Sequence, residues 1–295
     1  MHIVIATDLS IEALAAANLA FAFTDKFQDG GEQAHVDLLH VIEPRRLGER
    51  IFNEDSVDKQ AVRKSIQRWI DDNLNRTVPY EVVLRQGRAD EMIGRYADEQ
   101  NADLLILGQV GKGRFAQMFL GSTAHRVAQN PPCNLLLAHR EFAGFGQVSR
   151  FMVGVDLEDS GSRALQQTAA LARRFDAQLE VVHVFNPPKP PGLPGGIAGY
   201  GPTAEEVETA ERETHRRMEK FMTRHHDELE GLEVQSRVLS GSPVHQLVEH
   251  AVKRSADLLA VGTGRGAGAD RKMLGSVADG VVRHLSCNTL LVPRD

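Results

Sequence analysis

The sequence predicts an α/β fold made of two tandem, doubly wound, five-stranded parallel-sheet domains. Three observations carry that expectation. Landmarks of the first half recur in the second at fixed offsets. Apolar, β-branched runs of strand length alternate with segments of helical period. A glycine-punctuated loop stands between a strand and a helix in each half.

The repeat sets the boundaries. "NADLLILG" (101–108) matches "SADLLAVG" (255–262), and "LGSTAHRVAQNPPCNLLL" (120–137) matches "LGSVADGVVRHLSCNTLL" (274–291), both at an offset of 154. Gly87 in "VLRQG" meets Gly241 in "VLSGS" at the same offset. Upstream, "DLLHV" (37–41) matches "EVVHV" (180–184) at 143, and "IVIATDLS" (3–10) matches "FMVGVDLE" (151–158) at 148. Offsets that change only between landmarks are insertions in two copies of one domain. The joint is "EFAGFGQVS", about 141–149, which gives domains over 1–141 and 150–295.

In the first copy a strand ends at Asp8, and the helix "DLSIEALAAANLA" follows. "DLLHV" is the second strand, Gly108 closes the fourth, Gly121-Ser122 opens the helix after it, and "NLLLA" is the last strand. In the second copy "RFMVGV" and "QLEVVHV" are strands, the first ending at Asp156. The helix between them carries Leu165, Ala169, Ala172 and Phe175 on one face. Val244, Leu247, Val248, Ala251 and Val252 repeat at helical spacing before the strand "LLAV". A last helix from Ser276 to about His284 precedes "NTLLV". The second copy also holds "NPPKPPGLPGGIAGYGPT" (186–203), too rich in Pro and Gly to continue a strand or helix, and reads as a surface loop. It is a tolerated insertion, a lid or a partner-docking segment.

Strands separated by helices imply a parallel sheet, whose ligand crevice opens at the C-terminal strand ends where the winding reverses. In a 3-2-1-4-5 order, strands one and four flank that crevice. Asp8 and Asp156 then face the same gap as the glycine loops and can meet a ribose hydroxyl or a metal; the alternative is that each caps its following helix. The loop "LGQVGKGRFAQMFLGST" (107–123) places Gly108, Gly111, Gly121 and Ser122 between strand and helix. Exposed amides and the positive end of the helix dipole there favour an anion, with Lys112 and Arg114 adding charge and Ser122 able to cap the helix or donate to a phosphate. Tight turns and an ordinary capped helix account for the same glycines.

Together these motifs resemble the tandem universal stress proteins over nearly the whole chain. ATP-binding members carry Gly-x2-Gly-x9-Gly-Ser/Thr after the fourth strand, matched in full by Gly108, Gly111, Gly121 and Ser122. The family's "VDxS" start is echoed at Asp8 and Asp156, and its "LLHV" strand, close to the adenine in nucleotide-bound members, at His40-Val41 and His183-Val184. Its "CPVLVV" strand appears as "CNLLLAH" and "CNTLLVP". The resemblance implies adenine nucleotide alpha hydrolase-like, Rossmann-like domains related by pseudo-twofold symmetry, ATP as cofactor with Mg in some cases, and a role in stress response through an unidentified protein partner. It implies a first nucleotide site at Asp8, Val41, Gly108, Gly111, Gly121 and Ser122. The counterpart set is Asp156, Val184, Gly262, Gly275 and Ser276. There Arg265 replaces the middle glycine, between Gly264 and Gly266, so one site per chain is expected. The resemblance also implies that "NLLLA" and "NTLLV" pair across the axis, making the single chain imitate a homodimer. An antiparallel pairing separates Cys133 and Cys287 by roughly 16 Å, too far for a disulfide.

Catalysis finds little support. There is no Gly-Lys-Ser/Thr loop and no "SGGxDS" loop; "RKMLGS" near Arg271 lacks an accompanying "HIGH" segment. His215, His225 and His226 lie in a charged helix and read as a solvated face rather than a metal set. No catalytic or metal-ligating residue is assigned. A loop that wraps phosphates without a positioned base or Arg finger holds ATP or turns it over slowly. A slow ATP phosphohydrolase and a nucleotide-free docking scaffold or apolar-ligand carrier are the alternatives. The chain has 295 residues, 42% hydrophobic and 25% charged, with net charge −6 and pI about 6.1. Those values give no general attraction to nucleic acid or anionic lipid. No 18-residue apolar run and no signal peptide is evident, so the expected compartment is the cytoplasm and the expected state a monomer, with a homodimer as the alternative.

Overall fold

β1 (His2–Ala6) has a fully buried centre, Ile3, Val4 and Ile5, as a strand covered on both faces requires. The helix that follows, α1 (Ile11–Asp29), starts at Ser10, whose hydroxyl accepts from the Ala13 amide at 3.1 Å. Asp8 therefore lies two residues ahead of the cap, and the capping alternative for it is corrected. β2 (His35–Ile42), the two-residue antiparallel pair β3 (Arg46–Leu47) and β4 (Arg50–Ile51), and α2 (Lys59–Asn73) come next. β5 (Tyr80–Gln86), α3 (Ala89–Glu99), β6 (Leu104–Gly108), α4 (Ser122–Gln129) and β7 (Asn134–Ala138) complete the first repeat.

The second repeat runs β8 (Arg150–Gly154), α5 (Asp159–Phe175), β9 (Gln178–Phe185), α6 (Ala204–Arg224), α7 (His226–Leu229) and β10 (Val234–Ser240). α8 (Pro243–Lys253), β11 (Leu258–Gly262), α9 (Ser276–His284) and β12 (Asn288–Val292) follow. This computed structural model describes residues 1–31, 33–43, 46–47, 50–51, 58–74, 79–109, 120–139, 148–187, 203–264, 274–284 and 287–294. Most of the Pro/Gly insertion, and Gly111, Lys112, Arg114, Arg265, Gly266 and Arg271, lie outside the described residues.

Two compact units result: Met1–Val148 with Thr263–Asp295, and Ser149–Gly262. In the first, parallel strands run β5-β2-β1-β6-β7, the expected 3-2-1-4-5 order. β12 adds to β7 antiparallel, with Leu136 opposite Leu290, as expected for the two last strands. Leu135, Leu136, Leu290 and Leu291 are all fully buried, so neither strand is left as an exposed edge at this seam. That register puts Cys133 and Cys287 six positions apart, roughly 20 Å at strand rise. Both are free thiols, and burial pushes Cys133 up to about 12. In the second unit β10-β9-β8-β11 are likewise parallel, order 3-2-1-4.

The predicted helical faces are largely core. Leu165, Ala169, Ala172 and Phe175 are buried. On α8 only Leu247 and Ala251 are, while Val252 is 58% exposed: it sits one step off the stripe. Gly87 and Gly241, which end the third strand of each repeat, hold φ of 140° and 131°, a backbone few other residues adopt.

Candidate functional site

Parallel pairing of β1 with β6 brings Ala6 opposite Leu107. Asp8 and Gly108 consequently leave the sheet side by side at its C-terminal edge, between strands whose connections run to opposite sides. Thr7 continues the ladder by one bond, its amide donating to the Leu39 carbonyl at 2.9 Å, and Val41 lies just beyond on β2. The Asp8 carboxylate accepts from the Ser10 amide at 3.0 Å and the Thr7 hydroxyl accepts from the Leu9 amide at 3.0 Å. This tight turn holds Leu9 at φ 62°, a left-handed backbone that costs a non-glycine residue about 1–3 kcal/mol.

On the other side of the crevice the Gln109 amide donates to Ala138 at 3.0 Å and the Gly121 amide to Gln109 at 2.8 Å. These bonds draw the two ends of the glycine loop together. Gly121 is the N-cap of α4, and the helix start has no side-chain cap. Ser122 is exposed and helical, so it is the first residue of the helix rather than its cap. An uncapped N-terminus leaves its first amides without intrahelical partners, an arrangement suited to an anion. Five of the six residues expected at the first site, Asp8, Val41, Gly108, Gly121 and Ser122, thus gather around one strand edge; Gly111 lies outside the described residues.

The second repeat reproduces much of this backbone. The Thr263 amide donates to Val292 at 2.9 Å and the Gly275 amide to Thr263 at 2.9 Å. A Cβ on Gly275 would overlap the carbonyl oxygen of Gly264, so the close approach demands glycine. The positive φ in the described part of this loop, 33°, falls on Gly264. Asp156 and Gly262 again leave paired strands, since Gly154 is opposite Val261. Leu157 matches Leu9 with φ 63°.

The Asp156 carboxylate, however, folds back onto its own helix. It accepts from the Glu158 amide at 3.0 Å, the Gly161 amide at 2.9 Å and the Ser160 hydroxyl. Asp156, like Asp8, lies two residues ahead of its helix's N-cap, here Glu158. Its carboxylate nevertheless satisfies the Gly161 amide in the first turn of α5, as the capping alternative requires. Gly275 and Ser276 belong to the other compact unit from Asp156, Val184 and Gly262.

One further residue stands at each site. His40 Nδ1 is 2.8 Å from the Thr7 carbonyl, and His183 Nδ1 is 2.8 Å from that of Val155. A carbonyl only accepts, so Nδ1 carries the proton in both and Nε2 is turned away from that bond. Burial holds the His183 imidazole below its usual range against that hydrogen bond, and Arg217 lowers it further. The signal was present in the repeated "LLHV" and "VVHV" segments. The histidines of α6 and its C-terminal end do not converge: His225 is buried against Ser162 at 2.9 Å, while His215 and His226 are exposed. No helix among the described residues is long and apolar enough to cross a membrane.

Comparison with known proteins gives a consistent result. The profile of the Universal stress protein family matches twice, over residues 1–139 and 148–293. The chain is 27% identical over 145 residues to universal stress protein MJ0531 of Methanocaldococcus jannaschii, covering 49% of this chain and 82% of that protein. It is 31% identical over 137 residues to a universal stress protein of Thermus aquaticus, covering 46% of this chain and 96% of that one. The crystal structure of a universal stress protein from Archaeoglobus fulgidus aligns with a TM-score of 0.67 at 19% identity, over 100% of this chain and 98% of that one.

Proposed function

Because the chain belongs to the universal stress protein family, we propose that its first repeat binds ATP, with Mg2+, and that the protein acts in the cytoplasm by nucleotide-dependent engagement of a partner. The observation that carries this reading is the uncapped start of α4, held beside the β1–β6 crevice by the Gly121–Gln109 bond. The donor set suits a polyphosphate. Backbone amides at Gly121 and Ser122 and the helix dipole address phosphate oxygens, and Gly108 lets them approach the chain. Asp8 takes a ribose hydroxyl or the metal, and Val41 provides apolar contact for the adenine. The nucleotide would supply a γ-phosphoryl group, but no residue is assigned as its base or arginine finger, so retention outweighs turnover.

Gly121→Val tests this. A branched side chain at the helix cap enters the anion's place, and calorimetric titration should show ATP affinity reduced at least tenfold. Unchanged affinity in a folded variant overturns the assignment. Release of ADP over many turnovers by the wild-type protein, lost in the same variant, would instead establish the phosphohydrolase.

A further inference from the structure

At the opposite, N-terminal end of the same strands lies a cluster that the nucleotide reading does not use. β1 and β2 pair with His2 opposite His35, and Asp37 is two residues along β2 on the same face as His35. His2 Nε2 is 2.8 Å from Asp37 Oδ2, His35 Nε2 is 2.9 Å from Oδ1, and the two imidazole rings meet edge to face at 5.1 Å. We propose that His2, His35 and Asp37 bind a divalent transition-metal ion of the zinc class.

The donor chemistry points there. Asp37 is 2% exposed, and its Oδ1 accepts no hydrogen bond despite the nearby imidazole. A buried carboxylate oxygen left so is costly unless a cation meets it. Oδ2 is already engaged by the Tyr96 hydroxyl, which donates to it at 2.7 Å. His2 faces an acceptor at each ring nitrogen, the Gln100 carbonyl 3.2 Å from Nδ1 and Asp37 Oδ2 2.8 Å from Nε2. A neutral imidazole has one N–H for those two acceptors; a metal bound at Nε2 would leave that proton to the Gln100 carbonyl. A histidine whose outer nitrogen is fixed by a backbone carbonyl is the ordinary support for metal ligation through the other.

The second repeat shows the alternative solution at the same position. Glu180 stands where Asp37 does, at the offset of 143, and receives Arg237 at 2.9 Å, His250 at 3.0 Å and Arg254 at 3.3 Å. Among the described residues no arginine or lysine pairs with Asp37; its partners are two imidazoles and the Tyr96 hydroxyl. The three ligand atoms lie within 4.8 Å of one another, against about 3.4 Å for ligands of a tetrahedral zinc, so small side-chain rotations close the set. Two imidazoles and one carboxylate favour zinc, nickel or copper over magnesium or calcium, and His35, 59% exposed, leaves an entry path and a position for water.

The test uses untagged full-length protein stripped with a chelator and titrated with Zn2+. Wild type should take up one equivalent at this site, with Co2+ giving the strong visible bands of four-coordinate geometry. His35→Ala should lower zinc affinity at least tenfold and abolish those bands while the metal-free protein stays folded by circular dichroism. His2→Ala should do the same to affinity. No stoichiometric uptake by wild type overturns the proposal and leaves a hydrogen-bonded His–Asp–His cluster. Uptake undiminished in both variants also overturns it, by placing the ion on other histidines.

Discussion

Leu136 and Leu290 face each other directly in the β7–β12 ladder, and they are the same position of the repeat, 290 − 136 = 154 residues apart. Equivalent residues meeting each other is the mark of a self-complementary contact, the kind that joins two subunits in a symmetric dimer. His125 and Asp279, also 154 apart, hydrogen-bond at 3.1 Å on α4 and α9.

Leu290→Ala should therefore destabilise the first unit, not only the repeat that contains it. Both leucines are fully buried, and such truncations cost about 2–5 kcal/mol. Denaturant unfolding reads the loss, and hydrogen exchange should show β7 amides opening faster. Unaltered exchange in β7 would separate the two strands energetically and refute the expectation.

Ser255 offers a gain. It follows α8 with φ 51°, exposed, where the first repeat has Asn101 at φ 49°. Glycine and asparagine tolerate this backbone better than serine. Ser255→Gly should raise stability by about 0.5–1 kcal/mol, seen as a higher urea midpoint at constant slope.

Glu180 should make the second unit sensitive to acid. Burial alone would raise its pKa, but hydrogen bonds from His250 and Arg237 and the charge of Arg254 outweigh burial and lower it below 4.5. The unfolded chain then binds the proton more readily than the folded one, so this stabilisation is present above pH 4.5 and is lost as pH falls below it. Glu180→Gln should be less stable than wild type near neutrality and show a flatter decline in acid. Parallel pH profiles for the two proteins would contradict this assignment.

Nucleotide stoichiometry should be about one per chain. Asp156 is engaged by the Glu158 and Gly161 amides and the Ser160 hydroxyl, and the second loop carries Arg265 in place of the middle glycine. Equilibrium dialysis returning two equally tight ATP sites would show that neither feature matters.

The repeat at constant offset made the two-copy organisation legible, and the alternation of strands and helices gave the doubly wound order. The β7–β12 pairing was implied by the resemblance to two-copy members of the family. Local chemistry was less so. Gly-Ser before a helix reads equally as a Ser122 cap or as a hydroxyl offered to a phosphate, and the backbone places Gly121 at the cap position. Val252 matched a helical count but lies one residue outside the buried stripe. His2, His35 and Asp37 escaped notice because strand register, not sequence spacing, brings them together; the one clue was a charged residue inside the buried run of β2.

The β7–β12 seam also sets an order of events during synthesis. Residues 134–138 leave the ribosome 154 residues before their partners at 288–292. At about 5–20 residues per second that interval is roughly 8–30 s, during which β7 presents an unpaired apolar border. A nascent chain with so exposed a flank is a natural client for a chaperone, and a translational pause within the second repeat would lengthen its exposure rather than protect it.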